Sequence, residues 1–228
     1  MKSFMNTSPE HEQRLARFRE AGLYLVTSRS QSRGRTTVEI VEAALAGGVR
    51  LIQLREKDLP DQDLVPLAKQ VRQITRAAGA LLILNDRLDV ALAAEADGVH
   101  LGQTDFPVAD ARRLAPGLII GASTHSADEA RAAQAAGASY VNIGPLFPTG
   151  TKAWAEPFLG LDGLREISRA VSLPFTVMGG IKADHIPALV QAGARTIAVV
   201  TAITAADNPE QAARDLLALI RRALSEHA

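Results

Sequence analysis

A short segment, called a joint here, occurs four times in the chain: an alanine is followed within two residues by a glycine and then by residues of a short apolar run. The joints begin at Ala46, Ala96, Ala136 and Ala192. Each joint is typical of a helix that ends near a glycine and returns directly to a short strand, because glycine tolerates the left-handed conformation that closes many helices. Repeated helix-to-strand returns indicate parallel strands joined by helices. The joints therefore predict an α/β fold with a parallel sheet.

Short apolar runs of strand length recur along the chain, and several are continuously apolar, as in parallel strands buried on both faces. The runs are Leu23–Val26, Val49–Leu54, Leu81–Leu84, Val99–Leu101, Leu118–Gly121, Tyr140–Ile143, Phe175–Met178 and Ile197–Val200. Eight strands would close a (β/α)8 or TIM barrel. A doubly wound open sheet is the alternative, but the chain lacks a glycine-rich nucleotide fingerprint. We predict one domain over residues 1–228, with an extension and an extra helix over about 1–20 and a TIM barrel over about 21–226.

Charge and cysteine content exclude several classes of function. Lysine plus arginine number 25 and aspartate plus glutamate number 25, which argues against nucleic-acid partners and anionic membranes. The absence of cysteine excludes disulfides, thiolate catalysis and zinc–sulfur sites. No apolar run approaches membrane-spanning length, and residues 1–19 lack the apolar core of a signal peptide. We therefore expect a cytoplasmic protein.

Polar residues at the C-terminal ends of barrel strands line the active site. The second strand ends in Gln53-Leu54-Arg55-Glu56-Lys57. Alternation along an extended strand puts Gln53, Arg55 and Lys57 on one face, where an amide and two cations would form a phosphate clamp. The alternative is a solvated loop in which Glu56 pairs with a cation.

The third and fourth strands each lead to a carboxylate. Asn85-Asp86 follows one strand, and Asp105 follows the next. Either aspartate alone could cap a helix. Together, beside a phosphate clamp, they suit Mg²⁺, which proteins commonly hold with one or two carboxylates plus substrate phosphates. The pair therefore predicts Mg²⁺ as the cofactor.

The loop after the fifth strand holds two further candidates, Ser123 and His125. Ser126 is predicted to cap the next helix, with Glu129 completing a capping box. Because a histidine beside a helix start is more often structural than catalytic, His125 is a secondary candidate.

The loops after the last three strands offer sites for anions. The Gly144–Lys152 loop combines hydroxyls, flexible backbone and a lysine, although it could be an ordinary surface loop. The stretch Ala153–Gly160, which contains Trp154 and Pro157, is predicted to act as a mobile lid. Backbone amides after strands seven and eight are the usual phosphate site of such barrels. We therefore predict two anion sites and one metal site at the same end of the barrel.

Taken in order, these segments resemble the thiamine phosphate synthase family from about Leu23 to near the C-terminus. The matching segments are Gln53–Lys57, Asn85-Asp86, Gly98–Pro107, Gly121–His125, Gly144–Lys152, Met178–Ile181 and Ala198–Ile203. Each segment alone is weakly specific, whereas the ordered set on a barrel is specific. The family most often has serine where Thr201 stands, and threonine keeps the hydroxyl and the backbone amide.

The resemblance implies a Mg²⁺-dependent transferase of thiamine biosynthesis. Aminomethylpyrimidine diphosphate would lose pyrophosphate by dissociation, and the ring nitrogen of a thiazole phosphate would attack to give thiamine phosphate. The implied contacts to the pyrimidine diphosphate are Gln53, Leu54, Arg55, Glu56, Lys57, Asn85, Ser123 and Lys152. The implied Mg²⁺ ligands are Asp86 and Asp105, and the implied contacts to the thiazole phosphate are Thr149, Gly150, Thr151, Gly180, Val200 and Thr201.

Two alternative functions stay open at this point. A thiazole tautomerase has the same barrel and uses a histidine placed like His125, but it lacks the second metal carboxylate, so Asp105 favours the synthase. A non-catalytic barrel that binds phosphorylated ligands would not need the full set of cations and carboxylates. We expect small phosphorylated molecules as the binding partners, and the chain could form a homodimer.

Overall fold

The computed structural model describes residues 8–150 and 157–227. Eight parallel strands form a closed barrel in chain order, and β1 pairs with both β2 and β8. The strands are β1 (Leu23–Val26), β2 (Leu51–Leu54), β3 (Leu81–Asn85), β4 (Gly98–Leu101), β5 (Ile119–Thr124), β6 (Tyr140–Ile143), β7 (Phe175–Val177) and β8 (Thr196–Val199). The predicted TIM barrel is confirmed.

Helices alternate with the strands and surround the barrel. In the described ranges they are α1 (Pro9–Arg19), α2 (Thr37–Ala46), α3 (Asp61–Ala77), α4 (Leu88–Ala93), α5 (Val108–Leu114), α6 (Ala127–Ala135), α7 (Gly160–Arg169), α8 (Ile186–Gln191), α9 (Thr201–Thr204) and α10 (Pro209–Glu226), with short 3₁₀ turns at Arg29–Gln31 and Ala183–His185. None of the helices in these ranges is both long enough and apolar enough to cross a membrane.

The largest difference from the predicted strands is at β5. Its apolar run ends at Gly121, but the strand continues to Thr124. Ser123 and Thr124 pair with Asn142 and Ile143 of β6, so backbone pairing extends the strand into polar residues. Ser123 is therefore a strand residue, and its side-chain direction is set by the strand.

Three of the four predicted joints contain a glycine with positive φ, at Gly48, Gly137 and Gly193. At the joint near Ala96 the left-handed residue is instead Glu95, with φ of 52°. Gly98 belongs to β4, where a Cβ atom would lie 2.3 Å from the carbonyl oxygen of Ile119. This glycine is therefore needed for close packing inside the barrel, and the predicted helix-closing role is wrong there.

Alternate residues of each strand contribute to two separate cores. Outward residues such as Leu25, Ile52 and Leu82 pack against the helices. Inward residues, including Leu51 and Ile83, fill the barrel interior together with two tyrosines. This arrangement explains the continuous apolar runs, because both faces of every strand are buried.

The N-terminal helix α1 covers one end of the interior core. Leu15 and Phe18 belong to that core, and the ring of Phe18 lies 4.3 Å from the ring of Tyr140. Arg14 Nη1 donates to the carbonyl oxygen of Gly117 at 2.7 Å, between α5 and β5. The helix thus covers the N-terminal ends of the strands, and polar inward residues remain at the C-terminal ends.

Candidate active site

The C-terminal ends of the strands, called the rim here, carry the predicted site residues. Gln53 and Asn85 are inward positions near the ends of β2 and β3, and Ser123 is the corresponding position of β5. Asn85 pairs in register with His100 of β4. The barrel therefore brings together residues that are up to 70 positions apart in sequence (123 − 53).

The segment Gln53–Lys57, which begins in the last two residues of β2, divides between the two faces of the barrel. Gln53 is 3% exposed, and its Nε2 donates to the hydroxyl of Tyr24 at 2.7 Å. Leu54 points outward into the helix-packed core. The backbone N–H of Arg55 donates to Thr27 Oγ1 at 3.0 Å, which joins this segment to the loop after β1.

Glu56 joins three pieces of the rim. Its carboxylate accepts hydrogen bonds from Thr27 Oγ1 and Thr37 Oγ1 at 2.8 Å each, and from the backbone N–H of Arg29 at 2.9 Å. These partners are hydroxyls and an amide, and within residues 8–150 and 157–227 no cation forms an ion pair with Glu56. Its hydrogen bonds hold the β1 loop and the start of α2 against the β2 loop.

A cavity of about 680 Å³ lies beside this loop. Arg29, Arg55 and Lys57 line it together with two acidic residues, Glu56 and Asp58, and with the hydroxyl-bearing residues Ser28, Ser30, Thr36 and Thr37. The three cations outnumber the two carboxylates, and Glu56 is already hydrogen-bonded to neighbouring loops. The cavity therefore suits a phosphorylated ligand, because phosphate oxygens accept hydrogen bonds from arginine and lysine.

Asp86 and Asp105 converge at the rim. Asp86 has a φ of 61°, and its backbone N–H donates to the carbonyl oxygen of His100 at 2.8 Å. Its carboxylate lies 3.5 Å from Lys57 Nζ. Burial raises the pKa of Asp86, and the contact and negative charge of Asp105 raise it further, while Lys57 opposes the shift. Two carboxylates are thus held close together in a half-buried place.

This pair of carboxylates fits a divalent cation. Repulsion between Asp86 and Asp105 would be relieved by a positive ion between them. Within the ranges 8–150 and 157–227, no group of three or more His, Cys, Asp and Glu side chains forms a metal site. A pair without a third protein ligand suits Mg²⁺, which takes remaining ligands from water and substrate phosphates.

The predicted capping box after β5 is only half right. Ser126 accepts a hydrogen bond from the backbone N–H of Glu129 at 3.2 Å, as predicted. The carboxylate of Glu129, however, accepts from the backbone N–H of His125 at 2.6 Å. The Nδ1 of His125 donates to the carbonyl oxygen of Gly144, so the ring also joins β5 to the loop after β6.

The loop after β6 packs on the loop after β7. The backbone N–H groups of Leu146 and Phe147 donate to the carbonyl oxygens of Met178 and Gly179, each at 3.0 Å. These hydrogen bonds fix the two loops as one surface at the rim.

Gly180 has a φ of 63°, and a Cβ atom there would lie 2.3 Å from the carbonyl oxygen of Pro148. Glycine is thus required for contact between these loops, independently of any ligand. Thr149 and Gly150 complete the described part of the β6 loop. The predicted contacts Thr151 and Lys152, and residues 153–156 of the predicted lid, lie outside the described residues, whereas residues 157–160 of that stretch are described.

The end of β8 leads directly into the short helix α9. Val200 precedes the helix, and its carbonyl oxygen accepts from the backbone N–H groups of Ile203 and Thr204 at 3.0 Å each. Thr201 is the first residue of the helix and is exposed at the rim. The backbone after β8 therefore turns at the rim. Because β7 and β8 are neighbours in the closed barrel, this turn lies next to the loop after β7, which contains Gly180.

Sequence reasoning missed His100 as a residue of the site. It lies in β4, only 6% exposed, with Nε2 3.0 Å from Ser123 Oγ and Nδ1 2.9 Å from the hydroxyl of Tyr140. Burial lowers the pKa of His100 to about 4, so the ring is neutral near pH 7. The available signal was a polar residue between Val99 and Leu101, where alternation would place it on the other face of the strand.

Comparisons with known proteins agree on one family. A family model described as thiamine monophosphate synthase matches residues 23–203. The thiamine-phosphate synthase of Moorella thermoacetica is 46% identical over 202 residues, covering 88% of this chain and 96% of the relative. That of Methanoculleus marisnigri is 49% identical over 205 residues, covering 90% and 97%.

Solved structures give the same result. The thiamine phosphate pyrophosphorylase of Pyrococcus furiosus superposes with a TM-score of 0.83 at 39% identity, covering 91% of this chain and 99% of that one. A 3-hexulose-6-phosphate synthase, at 22% identity and a TM-score of 0.67, shares the fold. Neither the tautomerase nor the non-catalytic alternative is supported by these comparisons.

Proposed function

The chain belongs to the thiamine monophosphate synthase family, and we propose that it joins aminomethylpyrimidine diphosphate to a thiazole phosphate by dissociative loss of pyrophosphate. Such an enzyme is a transferase of thiamine biosynthesis. The observation that carries this proposal is the convergence of Lys57 and Asp86 at the rim, 3.5 Å apart, beside the cavity lined by Arg55. Cations and carboxylates close together suit a diphosphate that binds with a metal ion.

The proposed reaction needs no protein nucleophile. Departure of pyrophosphate leaves a pyrimidine methylene cation, which the amino group of the pyrimidine ring stabilises. The protein must therefore stabilise negative charge that grows on the leaving group. Arg55 and Lys57 are suited to this role because both line the same cavity. Lys152 is proposed for the same role from the sequence alone.

Asp86 and Asp105 are the proposed ligands of Mg²⁺. Their proximity supports this assignment, because the pKa of Asp86 is raised by burial and by its acidic neighbour. When bound, the ion would neutralise charge on the diphosphate. Lys57, by pairing with Asp86, would keep this carboxylate oriented toward the rim.

The other polar residues of the rim are proposed to orient the two substrates. Gln53, Leu54, Glu56, Asn85 and Ser123 belong to the pyrimidine diphosphate side, where the side chains of Leu54 and Glu56 act by packing and by hydrogen bonds to neighbouring loops. The thiazole phosphate side consists of Thr149, Gly150, Thr151, Gly180, Val200 and Thr201. Holding the thiazole nitrogen in line with the methylene carbon lowers the entropic cost of the attack.

Three further features remain proposals. We propose a homodimer, although the sequence does not determine the oligomeric state, and a cytoplasmic location; sedimentation of the purified protein and cell fractionation would test them. We also propose that residues 1–20 form an extension to a barrel over residues 21–226. Deleting the extension would expose the interior core that Phe18 covers, so we expect the shortened protein to be less stable.

The test is a reconstitution with purified protein, both substrates and Mg²⁺. We expect thiamine phosphate and pyrophosphate in equal amounts, and neither product when either substrate is omitted. An Arg113→Ala variant is the matched control for Arg55→Ala, because Arg113 is an exposed arginine on the outer helix α5. Isomerisation of the thiazole phosphate alone, without metal or pyrimidine diphosphate, would contradict the proposal and favour a tautomerase.

A further inference from the structure

A continuous line of hydrogen bonds crosses the barrel interior from β2 to β5. Its members, called the interior network here, are Gln53, Tyr24, Tyr140, His100 and Ser123. The consecutive donor–acceptor distances are 2.7, 3.1, 2.9 and 3.0 Å. The network begins and ends at residues of the rim, but its middle lies in the core, where no role in the reaction has been assigned.

Hydrogen-bond chemistry gives the network a direction. The Nε2 of Gln53 can only donate, so the hydroxyl of Tyr24 accepts, and its own proton is available to Tyr140. Among the described residues the proton of Tyr24 has no acceptor other than the hydroxyl of Tyr140. A Tyr140 hydroxyl that accepts from Tyr24 has its own proton left for Nδ1 of His100.

The direction continues through the imidazole. A neutral histidine whose Nδ1 accepts carries its proton on Nε2. The Nε2–H of His100 therefore donates to Ser123 Oγ. With its oxygen occupied by this donor, Ser123 turns its own proton away from His100 and toward the rim.

We propose that His100 is a positioning residue: with Tyr140 behind it, the imidazole holds the Ser123 hydroxyl as a donor to the pyrimidine diphosphate. The substrate offers matching acceptors, since diphosphate oxygens and pyrimidine ring nitrogens both accept hydrogen bonds. This inference rests on the proposed function, in which Ser123 belongs to the pyrimidine diphosphate side. His100 would thus contribute to the reaction through Ser123, without contacting the substrate itself.

Rigid packing supports the role. The rings of His100 and Tyr140 are stacked, with their centroids 5.6 Å apart. The ring of Phe18 packs against Tyr140 as well, with a centroid distance of 4.3 Å. A Cβ atom at Gly121 would lie 2.4 Å from the hydroxyl of Tyr140. The tyrosine hydroxyl thus has little room to move away from the imidazole, and the donor at Ser123 is fixed before substrate binds.

The direction of the network can be measured without any substrate. In protein labelled with ¹⁵N-histidine, the His100 signals are assigned by their loss in His100→Gln. We expect the neutral Nε2–H tautomer for His100. An Nδ1–H tautomer would mean that the network runs the other way, with Ser123 donating inward, and would overturn the proposal even if the protein is an active synthase.

Kinetics test whether the network acts through Ser123. Tyr140→Phe and His100→Leu should each lower kcat/KM for the pyrimidine diphosphate about fivefold, the equivalent of one hydrogen bond, and leave KM for the thiazole phosphate unchanged. His100→Gln keeps an N–H donor near Ser123 and should recover most of the loss. In a Ser123→Ala background, His100→Leu should cost less than about twofold, because residues that act as a unit are not additive.

Two results separate the possible failures. Equal losses for His100→Leu with and without Ser123 would show that His100 acts independently of Ser123, and would overturn the proposal. Thr75→Val is the matched control, since it removes a buried hydroxyl of α3 that bonds to the Arg72 carbonyl away from the rim, and it should leave kcat/KM unchanged. If the wild-type protein makes no thiamine phosphate, the proposed function fails, whereas the tautomer measurement still decides the direction of the network.

Discussion

Gly121 of β5 faces the ring of Tyr140 of β6 so closely that a Cβ atom at Gly121 would lie 2.2 Å from the ring. The tyrosine can fill the barrel interior only because its neighbour has no side chain. This contact links the packing of the core to the residues beneath the rim, since Tyr140 also hydrogen-bonds to His100.

The first prediction follows from that contact. Gly121→Ala should lower the free energy of unfolding by about 1–3 kcal/mol, the usual range for overpacking a core, because the ring is held by Phe18 and by its hydrogen bonds. Denaturant unfolding measures the change. Gly117→Ala is the control, since the nearest atom to its Cβ is 3.4 Å away. Equal stability of both variants would mean that Tyr140 can move without cost.

The second prediction concerns the metal. Excess chelator should abolish synthase activity, and Asp86→Asn or Asp105→Asn should lower it by at least about tenfold. Asparagine tolerates the positive φ of Asp86, so this substitution changes the charge and spares the backbone. Asp110→Asn, at an exposed carboxylate paired with Arg113, is the control and should behave like the wild type. Full activity in chelator would contradict the metal assignment.

The third prediction separates the synthase from the tautomerase. Arg55→Ala should lower kcat/KM on the order of 100-fold, because Arg55 lines the cavity assigned to the leaving group. His125→Gln should stay within a few-fold of wild type, since ionisation of the diphosphate needs no proton transfer from a side chain. In a tautomerase, loss of a catalytic base costs about 10²–10⁴-fold, and that result at His125 would reverse the assignment.

The fourth prediction is a pH dependence of stability caused by His100. Its pKa is about 4 in the folded protein and 6.5 as the ordinary value, so below pH 6.5 the unfolded chain takes up a proton that the folded protein does not. Stability from this residue is complete above pH 6.5 and declines by about 3 kcal/mol as the pH falls to 4. The unfolding free energy of His100→Gln should decline less over this range, and equal slopes would mean that His100 is protonated in the folded state.

Much of the architecture follows from the sequence alone. Continuous apolar runs and repeated joints predict parallel strands buried on both faces, and the barrel has them. The polar residues that end these runs, such as Asp86 and Asp105, could be placed at one rim because parallel strands all end there. Their chemistry, together with the ordered motifs, also predicted the family that the comparisons identify.

Only the tertiary structure decided which of two buried faces each strand residue occupies. Where both faces are apolar, alternation cannot tell the interior from the helix-packed side, so Gln53, His100 and Tyr140 could not be assigned to one network. Tyr24 and Tyr140 lie 116 residues apart, and their hydroxyls meet at 3.1 Å only because closure of the barrel brings the inward positions together. Local sequence determines the strands and their ends, whereas the partners of buried polar groups depend on the register of the closed sheet.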